Sequence, residues 1–317
     1  MTQPQSRVPD QPNRRIAISG ASGFLGRALA TRLQRESITI QRLRRGERAT
    51  PPDIAWRPDA GRLDAAALDG VDALVNLAGE QIARRWTPKH KRAIRDSRVN
   101  STTLLSRSIA ELPHPPRVFV SGSAIGIYGD RGDEELDEES PLGTDFLAEA
   151  AEAWERATEP ARAAGIRVVC IRTGIVLNPH GGALAKMIVP YRLGLGGRIG
   201  SGAQWMSWIG LEDWLAAVEF ALARDVSGAM NLVAPNPVPN AEFAMTLARV
   251  LGRPALVPVP ALAIDMIFGE MGRATLLASQ RIHPLRLTEA GFEFAHPTLE
   301  QALRVELGAD FIKAPKP

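Results

Sequence analysis

Cysteine is almost absent: the 317-residue chain has one, Cys170. A single thiol excludes an internal disulfide and a cysteine-based zinc cluster, and it fits a reducing compartment. It lies in the apolar run Val168-Val169-Cys170-Ile171 and reads as a core thiol rather than a nucleophile. Histidine is scarce too, and none of the five pairs with another at the i,i+4 spacing of a helix-borne zinc site, so no metal is expected. No stretch approaches the roughly 20 apolar residues that span a bilayer. Residues 1–13 are polar, carry three prolines and lack the apolar core of a signal peptide. We therefore expect a disordered tail on a cytoplasmic protein. Charge of one sign is also missing. A net +3 with scattered arginines makes no nucleic-acid stripe, although a pI near 9.3 leaves room for an anionic ligand.

The first half alternates short apolar runs with longer amphipathic ones, the rhythm of βαβ units on a parallel sheet. Strands are expected at Arg15–Ser19, Ser37–Leu43, Ala73–Leu77, Arg117–Ser121 and Arg167–Arg172. Thr87-Pro88 offers a cap and a first-turn proline for one helix. Asp145 caps another that runs to Gly165, with Leu147, Ala151, Trp154 and Ala161 on one face. After Leu177 glycine crowds Gly194–Gly202, prolines recur, and Asn240 reads as the cap of a last helical segment. The expected fold is α/β: a Rossmann-type doubly wound parallel sheet with a smaller C-terminal substrate domain. Residues 14–178 with a return segment 207–234 form the first domain, and 179–206 with 235–317 the second.

The most informative stretch runs from Ile16 to Gly26. A strand leads directly into Gly20-Ala21-Ser22-Gly23-Phe24-Leu25-Gly26, and a helix follows. Glycines alone are weak evidence, but a strand–glycine turn–helix unit opening an α/β pattern is a dinucleotide fingerprint. Gly20 suits a tight turn, Gly23 lets backbone approach a pyrophosphate, and Gly26 allows close helix–sheet contact. The helix N-terminus then offers free N–H groups to phosphate. About 20 residues on, where a carboxylate would hold the ribose of NAD, stands Arg42-Leu43-Arg44-Arg45-Gly46, with no acid between Ile38 and Gly46. Guanidinium forks at Arg44 and Arg45 suit a 2′-phosphate, so the expected cofactor is NADP(H).

At this point the residues resemble a family. The glycine turn, Asn76-Leu77-Ala78-Gly79 and Ser121-Gly122-Ser123 followed by Tyr128-Gly129 are similar to an extended short-chain dehydrogenase/reductase. More narrowly, the chain resembles the YfcH-like epimerase-family proteins. Glu80, Ser97-Arg98, Arg172-Thr173-Gly174-Ile175-Val176-Leu177, Gly194-Leu195-Gly196-Gly197 and Gln204-Trp205-Met206-Ser207-Trp208-Ile209 carry that likeness. So do Gly252-Arg253-Pro254 and Ala290-Gly291-Phe292-Glu293-Phe294. It spans about residues 14 to 305. It implies cofactor contacts at Gly20, Ser22, Gly23, Phe24, Leu25, Gly26, Arg44, Arg45, Asn76, Leu77, Ala78, Gly79, Glu80, Arg98, Ser121, Arg172 and Ile175.

The chain departs from such enzymes in its chemistry. They use a Tyr-x-x-x-Lys pair, in which the lysine lowers the tyrosine pKa. Here Tyr128 and Tyr191 are followed four residues later by Gly132 and Leu195, and the matching helix offers Leu147 and Ala151. Gly210 stands where the resemblance leads one to expect a histidine. The remaining candidates are Ser123, as a donor to a substrate carbonyl, Glu149, as a partly buried acid or base, and Tyr128. Lys186 is a weaker candidate, and Trp205, Trp208 and Trp214 either wall an apolar pocket or pack between domains. Arg98 shares a helical stripe with Ile94, Ser101, Leu105 and Ile109, so it points inward and needs an anion: the cofactor, or an acid such as Glu80 or Asp96. The expected function is an NADP(H)-dependent oxidoreductase or epimerase acting on a small carbonyl or hydroxyl compound, as monomer or homodimer. The rival reading is a non-catalytic NADPH-binding regulator.

Overall fold

The computed structural model describes residues 14–36 and 38–312, with side chains to residue 308, so the expected tail at 1–13 lies outside it. The central sheet consists of β1 (Arg15–Ser19), β2 (Thr39–Arg45), β3 (Ile54–Arg57), β4 (Arg62–Leu63), β5 (Ala73–Asn76), β6 (Val118–Ala124), β7 (Arg167–Thr173) and β8 (Gly228–Leu232). In space they run β8-β7-β6-β5-β1-β2-β3-β4. Every pairing is parallel except β3 with β4. From β1 the chain moves outward to β2 and β3, then returns to β5 on the other side. That reversal leaves a crevice at the C-terminal ends of β1 and β5, where α/β ligands bind.

Five strands lie close to their expected places. β2 is shifted to Thr39–Arg45, with Ser37 outside the described residues, and β6 and β7 run on to Ala124 and Thr173. β3 and β8 carry too few apolar residues to announce themselves.

The helices follow their start signals. α1 (Phe24–Gln34) leaves the glycine turn. α2 (Pro88–Ala110) is capped by Thr87, whose Oγ1 accepts from the His90 N–H at 3.1 Å. α3 (Phe146–Arg156) is capped by Asp145, which accepts from the Ala148 N–H at 2.9 Å. The long helix expected to Gly165 breaks at Thr158, and α4 (Glu159–Ala163) restarts on Pro160. α5 (Gly182–Arg192), α6 (Leu211–Ala223) and α7 (Asn240–Leu251) follow. Asn240 is not a cap as expected: it opens α7, and its Oδ1 accepts from the Ile199 N–H at 2.7 Å.

Two apolar layers cover the faces of the sheet, one around Ile16, Leu29 and Trp214, the other around Leu43, Leu105 and Phe119. Cys170 is fully buried in the latter, and burial holds its thiol up at about 11. A further cluster joins Leu184, Tyr191 and Trp208 to Phe243, Leu247 and Leu303. No helix among the described residues is long and apolar enough to cross a membrane.

Candidate cofactor and active site

At the crevice the glycine turn is pressed against the end of β5. Gly20 has φ +69°, and a Cβ there would lie 2.5 Å from the Leu77 carbonyl oxygen. A Cβ on Gly26 would lie 2.3 Å from the Gly20 oxygen, so both positions demand glycine. Ser22 and Gly23 are exposed. No side chain caps α1, which leaves its first N–H groups for another acceptor. Phe24 and Leu25 both pack on the core, and the Phe24 ring also seats against Gly181.

Asn76 at the end of β5 is fully buried and both ends of its amide are hydrogen-bonded. It accepts from Ser19 Oγ at 2.5 Å and donates to Thr102 Oγ1 at 2.7 Å, which clamps β1, β5 and α2 together. Beyond it, exposed Gly79 lies against Arg98: a Cβ there would come within 3.1 Å of the guanidinium carbon. Arg98 Nη1 donates to the carbonyl oxygens of Glu80 and Ile94, both at 3.0 Å, and the guanidinium lies 5.0 Å over Trp154. The expected ion pair with Glu80 or Asp96 does not form, since only backbone acceptors meet the charge. Burial therefore pulls Arg98 down to about 10, with the Glu80 charge opposing.

At the end of β2, Arg44 and Arg45 are both exposed, as a phosphate clamp requires. Arg44 is already tethered, since its Nε donates to Asp53. Asp53 also accepts from the Arg42 N–H at 3.1 Å. The acid missing from β2 is thus supplied from the turn before β3.

The third group lies at the ends of β6 and β7, where Ser123 and Arg172 are cross-strand partners. Ser123 Oγ donates to Glu155 Oε1 at 2.6 Å, and Arg172 binds both Glu155 oxygens at 2.8 and 2.9 Å. Burial alone would lower Arg172, but the Glu155 bonds and charge outweigh it and hold it above its ordinary value. Arg172 also donates to Tyr128 OH at 2.8 Å, and that hydroxyl donates to Asn231 Oδ1 at 2.8 Å. Tyr128 is fully buried and pushed up to about 12 by burial, with Arg172 opposing. These facts correct three expectations. Arg172 is spent on Glu155 and Tyr128 rather than offered to a cofactor. Tyr128 is a buried link, not an acid facing the crevice. Ser123 donates its hydrogen bond to Glu155, so its lone pairs rather than its hydrogen are left for another group.

Glu149 is exposed on the first turn of α3, so the burial its acid–base role needs is missing. Leu147 packs on Gly126, and Ala151 is buried beside Ile125 and Tyr128. Glu155 lies one further turn along the same stripe, i+4 from Ala151, and was missed. An acid on an apolar helix face and an arginine inside the strand Val168-Val169-Cys170-Ile171-Arg172 were the available signal, because each is costly without the other. Ser121 is buried at the centre of β6, and Ile175 is half-buried beyond β7. Lys186 is solvent-exposed. Trp208 and Trp214 are fully buried in separate apolar clusters, while Trp205 is half-exposed and donates to Asp133 at 2.9 Å. Gly210 faces Glu306: a Cβ there would sit 3.3 Å from Glu306 Oε1, so a larger side chain needs that carboxylate to shift.

Residues 16–233 match the NAD dependent epimerase/dehydratase family. The chain belongs to that family. Residues 259–305 match a domain described only as of unknown function. Epimerase family protein Mb2239 of Mycobacterium bovis is 43% identical over 290 residues, covering 91% of this chain and 96% of that protein. The crystal structure of human epimerase family protein SDR39U1 with NADPH is 35% identical, with a TM-score of 0.84 and coverage of 92% and 98% of the two chains. A nucleoside-diphosphate sugar epimerase from Corynebacterium glutamicum is 38% identical with a TM-score of 0.79, covering 95% of this chain and 60% of that one. This family member therefore has the Rossmann-type sheet of its relatives.

Proposed function

We propose that this chain binds NADP(H) across the C-terminal ends of β1 and β5 and supports hydride chemistry on a small carbonyl or hydroxyl compound, without a Tyr-Lys pair. The observation that carries the reading is the cradle of Gly20, Gly23 and Gly26 beside Arg98, a half-buried cation paired with no carboxylate. That donor set fits a pyrophosphate, because open backbone N–H groups and an unneutralised guanidinium both require an anion. The bound NADPH of human SDR39U1 supports the same choice. Ser22, Gly23, Phe24 and Leu25 would hold the phosphates, Arg44 and Arg45 the 2′-phosphate, and the stretch from Leu77 to Glu80 the ribose side. Ser121 and Ile175 belong to the nicotinamide side of this reading.

NADP(H), when bound, supplies or accepts the hydride. Ser123 then handles the substrate oxygen. With its proton on Glu155, it accepts from a substrate hydroxyl, and turning to donate to a carbonyl requires leaving that bond. Arg172 holds Glu155 in place through both of its oxygens. A cytoplasmic location and the domain division expected from the sequence belong to the same proposal. The separate apolar cluster around Phe243 supports the division, although Trp208 of the return segment sits in it.

The non-catalytic reading is favoured by one observation: Leu147 and Ala151 are apolar and Glu149 faces solvent, so Ser123 is left without a neighbouring acid free to give a proton. One experiment separates the two. NADPH binding is measured for wild type and Ser123→Ala, and both are screened against a panel of carbonyls and alcohols. The enzyme reading expects wild-type turnover that Ser123→Ala loses at unchanged NADPH affinity. Binding without any turnover transfers the protein to the regulator class, and no NADPH binding refutes both.

A further inference from the structure

A glutamine amide offers two N–H donors from a single nitrogen. At Gln280 both are spent on one short turn: Nε2 donates to the Ile125 carbonyl at 3.1 Å and to the Gly129 carbonyl at 2.9 Å. These oxygens bracket the single helical turn Ile125–Tyr128, which begins two residues after Ser123. Gln280 is itself held by its backbone. Its N–H donates to the Trp205 carbonyl at 3.2 Å, and its own carbonyl accepts from Ser207 Oγ at 2.8 Å.

The residues beside Gln280 grip the rest of the same loop. Ser279 Oγ donates to the Gly132 carbonyl at 2.5 Å, and the Ser279 N–H donates to Asp130 Oδ1 at 3.0 Å. Ile282 pairs with Leu136 and is buried with Ile127 and Tyr128 in one apolar cluster. The loop after β6 therefore takes its shape from the C-terminal part of the chain.

Tyr128 carries this support towards Ser123. It ends the turn, its ring is fully buried, and its hydroxyl accepts from Arg172 and donates to Asn231, each at 2.8 Å. Arg172 holds both oxygens of Glu155, and Glu155 accepts from Ser123 at 2.6 Å. None of these links has slack, because a shift of about 1 Å stretches any of them beyond hydrogen-bond length. An apolar side chain at 280 could fill the same space, but it would leave the two carbonyls of the turn unheld.

We propose that Gln280 is a positioning residue for Ser123, acting through the turn Ile125–Tyr128 and the chain Tyr128–Arg172–Glu155. Residues 259–305, a domain without a described function, thereby support the site from outside the Rossmann sheet. The inference rests on the proposed role of Ser123 in turnover and adds a residue that acts only through others.

The test is Gln280→Met, which keeps the length of the side chain and removes both donors. The chain has two tyrosines, so fluorotyrosine labelling gives one fluorine NMR line for each, and Tyr191→Phe assigns them. The Tyr128 line should move, while that of Tyr191, in a separate apolar cluster, stays. NADPH affinity should not change. On the compound that the wild type turns over fastest, kcat should fall about 10- to 100-fold at nearly constant KM, since a misplacement of about 1 Å can cost about 100-fold. Arg281→Met removes the neighbouring side chain's pairing with Glu135 and should leave the Tyr128 line and kcat as they are. If Gln280→Met does not fold, Gln280→Asn draws the amide back by one methylene and should give the same pattern more weakly. A Tyr128 line that stays in place overturns the inference. So does a lower Tm with wild-type kcat, which makes Gln280 architectural only. Absence of turnover in the wild type overturns the proposed function and this inference with it, whereas turnover that survives Gln280→Met overturns this inference alone.

Discussion

Replacing Arg98 by methionine keeps most of the side chain's length and removes its charge. In the cofactor-free chain, burial pulls this guanidinium down to about 10, which corresponds to about 3 kcal/mol of lost preference for the charged form. Two carbonyl acceptors at 3.0 Å oppose that cost, at about 1.5 kcal/mol for each charge-assisted bond. The two effects nearly cancel. Arg98→Met should therefore change the stability of the cofactor-free protein by less than about 1 kcal/mol, or roughly 2 °C in Tm for a chain of this size. Cofactor affinity behaves differently. If the guanidinium serves a phosphate, its loss removes about 1.5–3 kcal/mol and weakens NADPH binding about 10- to 100-fold. Thermal melts with and without NADPH, together with a fluorescence titration, read both quantities on the same samples. A drop of many degrees in the cofactor-free melt at unchanged NADPH affinity would refute the reasoning and make Arg98 purely architectural.

Cofactor choice gives a paired expectation at the end of β2. Arg45→Ala should weaken NADPH about 10- to 100-fold while barely moving NADH, and Asp53→Asn, by freeing Arg44, should strengthen NADPH several-fold; equal affinity of the wild type for the two cofactors would end this account. Tyr128→Phe removes a hydroxyl that serves Arg172 and Asn231, leaving both with an unmet buried group at about 1–3 kcal/mol each. Its Tm should fall by several degrees with NADPH affinity unchanged, and a Tm like that of wild type would contradict the buried network. Asp213 is buried and accepts from the Ala295 and His296 N–H groups at 2.8 and 3.0 Å; burial raises its pKa, with those bonds opposing. A carboxylate raised on folding contributes most below its unfolded pKa, and that contribution fades as pH rises through the folded value. In urea titrations the advantage of wild type over Asp213→Asn should therefore grow as pH falls from 7 toward 4.5; the opposite trend would refute the assignment.

What could be read from the chain beforehand was local. Strand, glycine turn and helix at Ile16–Gln34 are contiguous, as are the caps at Thr87 and Asp145, and each appears where its chemistry put it. The inward stripe of α2 also located Arg98, because periodicity reports which face a residue occupies. It says nothing about what lies opposite. The acceptors of Arg98 are backbone carbonyls, which no side-chain pattern records. Glu155 and Arg172 are 17 residues apart on a helix and a strand, and only the sheet order brings them together. The sequence left Trp208 and Trp214 open between pocket wall and packing, and each fills a different apolar cluster. Glu149 was chosen for its place on α3, and it sits on the wrong side of the helix.

Gly210 and Glu306 lie 96 residues apart but occupy one volume. The carboxylate of Glu306 fills the space a side chain at 210 would need, accepts from the Glu212 N–H at the start of α6 at 3.2 Å, and receives Asn178 at 2.9 Å. Glu306, near the end of the chain, thereby supplies an acceptor to the first turn of α6. The two positions are coupled: a larger side chain at 210 should shift the Glu306 carboxylate and weaken its bond to the first turn of α6. A change at residue 210 is therefore felt 96 residues away, at the carboxylate that ties the C-terminal helical segment to Asn178 and α6.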